Sequence, residues 1–501
     1  MTDFNLYMRP EFGAALALVA MCFVGPRPWR ELASLPVVRM FGVFAAFLVA
    51  QAAYATWVVP DLPYPSQLTE VAKLVRLGVF CCVVGWWLSV RPSTIPALLG
   101  LMVLGLLVAV LYHMPWSALP DIWAGRVRPR FGIPENLSGQ LAAVGGWLAL
   151  CLLVGIWRDH PRGRRRNWLL ALGLLAYAGS FCVLVFSQSR GAWLAFLVAS
   201  PLSVFGYWLT RKPRSLRTLP WQPIVTLALV SVLLLLGARD IFALRFAGAE
   251  QMLPEAAEPA PHYSAGDAGV GRRDAQVLVK PKAAEPAIDA TPATTPDPQA
   301  SSTEPAPSPA AAPVAADEAA SGPVPAPTTT QPDAPLPTTI DTTVPANKAV
   351  SVRLRLYELG VDRIRERPWL GWGLNSIPLL IENAHLDLAG ERHVHLHSAY
   401  LDALAGIGLV GSLLLLSLFV LVMRELVLAW RSGIISTASF WALVGCVAIV
   451  LIANAFDSLL WRFEYARAPQ ELLFGCCIAY ALIRRRREQA GADAVSAAPG
   501  S

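Results

Sequence analysis

The sequence predicts an all-α, polytopic membrane bundle of about 11–12 transmembrane helices with one large external loop. Three observations predict it. The 501 residues are 55% hydrophobic and only 15% charged, where soluble chains carry roughly 25% charged residues. Eleven stretches are apolar enough to be read as spans, against the about 20 residues that a membrane helix needs. Arg-rich loops recur on alternate connections between them, as the positive-inside pattern requires. An ordinary soluble enzyme is excluded, because so apolar a chain cannot cover its surface. Disorder of the whole chain is excluded by the same apolar content.

In chain order the spans are expected at 12–24, 37–58, 71–90, 95–112, 137–157, 168–186, 192–209, 224–237, 398–422, 440–455 and 471–483. The first and eighth are short. Arg158, Arg162 and Arg164 to Arg166 crowd one loop, and Arg211, Lys212, Arg214 and Arg217 another. Arg424 and Arg431 mark a third, and Arg484 to Arg487 follow the last span. These lie on one side, which is the cytoplasmic side. The loops 115–135, 188–190, 239–396 and 457–469 then lie outside, and an odd number of spans puts the N-terminus outside too.

The prolines divide the chain. Of 41, 19 fall within 251–350, a stretch with no Phe, Trp or Cys and one aromatic, Tyr263. Such a Pro/Ala/Thr segment buries too little apolar area to offset chain entropy. The organisation is therefore N-terminal transmembrane helices (1–239), a disordered external insert (240–350), an amphipathic segment with the chemical motif (351–397), C-terminal transmembrane helices (398–487) and a disordered tail (488–501). The eight cysteines sit in apolar runs without a Cys-x-x-Cys pair and are read as small buried hydrophobes. The N-terminus lacks a signal-peptide pattern, so the first span is expected to stay in the membrane. The net charge of +6 is not a nucleic-acid footprint, because much of it lies in short loops.

Arginines that break the charge rule are the informative ones. Arg126, Arg128 and Arg130 alternate in one outside loop, Arg190 stands at the outer end of a span, and Arg353, Arg355, Arg363, Arg365 and Arg367 follow the insert. An ionised Arg at the hydrocarbon boundary is costly, and is usually paired or functional. Guanidinium forks match phosphate oxygens bidentately; the alternative is pairing with an acid such as Glu135 or Asp362. Residues 351–367 carry apolar stripes at helical spacing, Val352, Leu356 and Leu359 beside Tyr357, Val361 and Ile364. They read as a helix on the outer membrane boundary, or as a solvated helix with internal ion pairs. A tight turn with Gly371 and Gly373 follows.

His393, His395 and His397 alternate. On a strand they would share a face and could bind a metal. They could equally be solvated loop residues, or one could be a general base at the membrane surface, where a pKa near neutrality suits a sugar hydroxyl. Gly406, Gly408 and Gly411 then permit close helix packing.

With these pieces the chain resembles the O-antigen ligase and polymerase superfamily of bacterial envelope glycosyltransferases. Phe131-Gly132-Ile133-Pro134-Glu135-Asn136 is similar to the family's turn ending in Asn, and Ser189-Arg190-Gly191 to its Ser-Arg-Gly corner. Arg353 through Pro368 to Gly371 and Gly373 resembles its Arg…Pro-x-x-Gly-x-Gly run. His395-Leu396-His397-Ser398, with Leu401, Gly408 and Gly411, resembles its histidine signature. The resemblance implies a metal-independent inner-membrane enzyme without cofactor, working at the periplasmic face. Its expected partners are an undecaprenyl-pyrophosphate-linked glycan, a lipid A-core acceptor and membrane lipids. Arg190 and Arg353 or Arg355, with Arg130 in the upstream cluster, would bind the pyrophosphate, and His397 or His395 would assist the acceptor hydroxyl. Asn136, Ser189, Gly191, Gly371, Gly373, Gly408 and Gly411 are the motif's structural positions. A polymerase joining lipid-linked repeats, or a transporter or flippase, are the competing readings; no internal repeat supports transport.

Overall fold

The computed structural model describes residues 10–58, 64–210, 221–246, 339–341, 346–386, 388, 393–458 and 463–496. Most of the proline-rich insert, and the basic loop of Arg211 to Arg217, lie outside the described residues.

The N-terminal half is α1 (Pro10–Phe23), α2 (Arg27–Ala33), α3 (Pro36–Val58), α4 (Tyr64–Val90), α5 (Ile95–His113) and α6 (Leu119–Trp123). A short strand β1 (Val127–Pro129) leads to α7 (Glu135–Asp159), α8 (Arg164–Phe186), α9 (Arg190–Thr210), α10 (Trp221–Gly237) and α11 (Arg239–Phe246). Beyond the insert come strand β2 (Thr339–Asp341), α12 (Ala346–Glu366), α13 (Ile377–Asn383), α14 (Ala399–Arg431), α15 (Thr437–Asn454) and α16 (Phe463–Ser496). The fold is an all-α polytopic membrane bundle. Among the described residues, 8 helices are long and apolar enough to cross a membrane.

All eleven expected apolar stretches coincide with helices, three of them (12–24, 398–422 and 440–455) overrunning a helix end by one residue. Three of the eleven are not among those 8. Helix α1 has 14 residues, about 21 Å at 1.5 Å per residue, short of a roughly 30 Å hydrocarbon core. Helix α10 has 17, and the last stretch is one part of the 34-residue α16, which also carries Arg484 to Arg487.

Helix α7 is the centre. It buries Ala142, Ala143, Gly145, Gly146 and Ala149, small residues that let neighbouring backbones approach where lipid offers no hydrophobic driving force. Its polar groups are satisfied inside the bundle: Trp147 Nε1 donates to the Ala442 carbonyl at 2.9 Å. Helix α5 is peripheral, with 11% of its apolar window buried, and leaves Leu101, Leu104, Val108 and Leu111 exposed.

The ends of the bundle differ in charge. One end holds the α7–α8 connection with Arg158, Arg162 and Arg164 to Arg166, and the α14–α15 connection with Arg431. There Arg484 pairs with Glu425, which is 1% exposed, and Arg486 pairs with Glu31 at 2.6 Å. The opposite end gathers the starts of α7, α9 and α14 and the ends of α8 and α15. The site forms there.

The expected boundaries of the insert shift inward at both ends. Helix α11 and strand β2 extend structure into the 240–350 segment, because each has a partner. Ile241 and Leu244 lie against Gly125, and β2 pairs antiparallel with β1, Arg128 opposite Ile340.

The histidines are not on a strand. Residues 393–398 form bends before the first turn of α14, and His397 takes a left-handed backbone, φ 55°. The apolar stripe of α12 is also used differently from the membrane-lying expectation. Val352, Leu356 and Leu359 are buried against Ile377, Leu380, Ile381 and Leu396, so this face is covered by protein.

Candidate active site

Three corners build the site. The first is the α8–α9 connection, Ser187-Gln188-Ser189. Gln188 is left-handed, φ 50°, and its side-chain amide donates to the Gly125 and Val127 carbonyls at 3.4 and 3.3 Å. The Ser189 hydroxyl accepts from the Ala192 N–H at 3.4 Å, an N-terminal cap for α9. Gly191 is required by close approach, since a Cβ there would lie 2.8 Å from Phe456 Cβ. The corner thus sets Arg190 beside the α15–α16 connection.

The second corner is that connection, centred on Asp457, which is 5% exposed. Its carboxylate accepts from Asn136 Nδ2 at 2.5 Å and from the Ser458 N–H at 2.8 Å. Asn136 in turn accepts from Arg128 Nη2 at 2.6 Å, and Arg128 Nε donates to the Ser187 carbonyl at 2.5 Å. One chain of bonds therefore ties the Phe131–Asn136 turn, the Ser-Arg-Gly corner and Asp457 together. His395 Nε2 lies 3.3 Å from Asp457 Oδ1.

The third corner carries the histidines. Leu396 is 1% exposed in the cluster under α12. Its two neighbours in sequence are brought together: the His395 and His397 ring centroids are 4.4 Å apart. His393 Nδ1 is 3.1 Å from His397 Nε2. Among the described residues, His397 Nδ1 is buried without a hydrogen-bond partner. The left-handed conformation of His397 costs of the order of 1–3 kcal/mol for a residue with a Cβ, and such strain clusters at functional sites.

Electrostatics decide which arginines share this space. Burial, first, and then the charges of His395 and Arg353 bring the His397 imidazole down to about 3, against the pull of Asp457. Arg353 is likewise felt at Arg190. Among the described residues, neither Arg190 nor Arg353 has an acidic partner or a side-chain hydrogen bond. Arg355, two residues further along α12, is exposed on another face. The remaining upstream arginines are paired: Arg130 Nε with Glu135 Oε1 at 2.5 Å and Arg126 with Asp121 at 2.7 Å. Burial raises the pKa of the Tyr357 hydroxyl, Arg353 opposing, so Tyr357 stays a donor; it bonds the His397 carbonyl at 3.3 Å.

His395, His397 and Asp457 bring one ligand atom each to within 4.8 Å of one another, and are the described residues that could hold a metal ion. Both Asp457 oxygens already accept hydrogen bonds, which compete with that role. An apolar cavity of about 240 Å³ lies beside the site turn, lined among others by Met102, Val110, His113, Phe131, Ile133 and Leu141.

The motif glycines hold the frame. Gly408 interrupts α14 with φ 66° and ψ −173°. The Pro368–Gly373 turn lies in this break: Trp372 N–H donates to the Ala405 carbonyl at 2.8 Å, Gly373 N–H to Gly406 at 2.8 Å, and Leu409 N–H to Pro368 at 2.8 Å. Buried Gln51 on α3 donates to the Leu370 and Gly406 carbonyls at 3.1 and 2.9 Å. Gly411 faces Phe47 of α3, 2.6 Å from where a Cβ would stand.

Three residues at the site carried weak sequence signals. Asp457 stands alone after a span, Tyr357 was absorbed into an apolar stripe, and Asp402 sits in the first turn of a membrane helix. Only the last had a usable cue, an acid where a span begins.

Fold and site define a multi-pass membrane protein with two guanidiniums that have no acidic partner among the described residues, and an imidazole pair, at one end of its bundle. A family model described as O-antigen ligase matches residues 336–416, which include Arg353, the Pro368–Gly373 turn, His395, His397 and Gly411. The match supports membership of the O-antigen ligase and polymerase superfamily. No curated protein matches the chain.

Proposed function

We propose that this protein is an O-antigen ligase of the bacterial inner membrane. It transfers a polysaccharide from undecaprenyl pyrophosphate to a sugar hydroxyl of lipid A-core at the periplasmic face. The observation that carries this reading is the pair Arg190 and Arg353, which have no acidic partner among the described residues; Arg353 acts electrostatically on both Arg190 and His397. Two guanidiniums suit a pyrophosphate, and their pull is strongest as negative charge grows on the leaving group.

In the proposed step the acceptor hydroxyl oxygen bonds the anomeric carbon as the bond from that carbon to the pyrophosphate oxygen breaks. The electron pair leaves with the pyrophosphate, held by Arg190 and Arg353. The hydroxyl proton passes to His397, which is neutral at physiological pH and keeps one ring nitrogen uncommitted. Asp457, fixed by Asn136 and Arg128, orients His395 against His397. The chemistry uses no cofactor, no metal and no nucleotide sugar. The partners are the lipid-linked glycan, lipid A-core and membrane lipids.

The test is a chromosomal deletion followed by a lipopolysaccharide gel. Loss of a ligase leaves core alone while lipid-linked polymer accumulates; core plus a single repeat would instead identify a polymerase. An unchanged ladder with altered solute movement would identify a transporter. Arg190→Ala and His397→Ala, at normal membrane levels, are expected to reproduce the deletion. Wild-type ladders in either variant would remove that residue from the mechanism.

A further inference from the structure

The His395-Leu396-His397 turn has an unusual backbone, and two side chains from different helices hold it. The Leu396 N–H donates to Asp402 Oδ1 at 2.9 Å, from the first turn of α14. The Tyr357 hydroxyl, on α12, donates to the His397 carbonyl at 3.3 Å. Between these two bonds lies the left-handed His397, φ 55°. Without them, a β-branch-free but bulky residue would relax to φ below zero. The Ala399 N–H, bonded to the Asp457 carbonyl at 3.2 Å, closes the turn onto the second corner. Asp402 is only 9% exposed, so its carboxylate is costly to place there unless it accepts hydrogen bonds.

We infer that Asp402 and Tyr357 are positioning residues for the transfer reaction: they hold the peptide on either side of His397 so that its imidazole stands against both His393 and His395. Neither is assigned contact with substrate. The inference rests on the ligase reading for its kinetic consequence, but not for its structural one. Relaxation of His397 to a right-handed or extended φ would swing the ring by ångströms. A displacement of about 1 Å commonly costs about 100-fold in rate.

Two measurements on the full-length protein in nanodiscs separate the structural claim from the functional one. The first is hydrogen exchange of the peptide covering 393–398. The Leu396 amide is expected to be protected in wild type and in Asp402→Asn, whose side-chain oxygen still accepts, and to exchange faster in Asp402→Ala. The second is transfer of a lipid-linked glycan to lipid A-core. Asp402→Ala is expected to lose about 100-fold in kcat with KM for the donor unchanged, Asp402→Asn to recover most of that, and Tyr357→Phe to lose about 10-fold, as for one hydrogen bond. Asp402→Asn as damaged as Asp402→Ala in both measurements would overturn the inference, as would wild-type exchange and wild-type kcat in Asp402→Ala. If wild type transfers no glycan, the ligase reading fails while the exchange result still decides the positioning claim.

Discussion

His397 is where residue-scale physics is most exposed. Its imidazole is brought down to about 3 by burial first and then by His395 and Arg353. A free histidine titrates near 6.5. The folded protein therefore keeps His397 neutral where the unfolded chain takes up a proton. This group's contribution to stability is full above about 6.5 and is lost as pH falls toward 3. The same shift makes the unliganded site a weak base. On the proposed reading, an anion bound by Arg190 and Arg353 would offset the charge of Arg353 and raise His397, coupling donor binding to basicity. We predict that the His397 ring resonance titrates higher in Arg353→Ala, and higher in wild type when inorganic pyrophosphate is added. An unmoved midpoint in both would show that Arg353 and His397 do not share a field.

At the scale of elements, the break in α14 is the feature on which the site depends. The helix cannot continue through Gly408, because the Pro368–Gly373 turn occupies its groove and donates to carbonyls that the break releases. Gly408 and Gly433 have similar left-handed angles, φ 66° and 72°, but only Gly408 is crowded, by the Trp369 carbonyl. Gly433→Ala should cost only the left-handed strain of about 1–2 kcal/mol. Gly408→Ala should cost clearly more and lower the melting temperature further. Equal shifts would mean that the turn does not press on the helix. Strand β2 makes a similar point about the insert. A deletion of 281–335 keeps β2 paired with β1 and should preserve transfer. Extending it to 345 removes the strand opposite Arg128 and should weaken transfer.

At the scale of the whole molecule, the two ends of the bundle carry the functional argument. The described Arg-rich connections gather at one end and the site at the other, and the positive-inside pattern predicts that the site end is external. An alkaline phosphatase fusion after residue 246 should be active and one after residue 162 inactive. The reverse pattern would place the chemistry in the cytoplasm and remove the periplasmic reading.

The sequence by itself determined the membrane bundle, the stretches that became its helices and the motifs of the site. Hydropathy and charge act locally along a chain, so they are readable without contacts. It also singled out Arg190, Arg353 or Arg355, and His395 or His397 as candidates, because charges in apolar surroundings are conspicuous. Tertiary structure decided what spacing cannot: that Arg130 pairs with Glu135 while the charge of Arg353 is felt at Arg190, and that Asp457 belongs beside His395. It also turned the alternating histidines into a left-handed turn instead of a strand, and covered the stripe of α12 with protein instead of lipid. These outcomes depend on contacts between residues hundreds of positions apart, such as Asn136 with Asp457, and no local pattern records which distant groups the packing of the helices brings within a hydrogen bond.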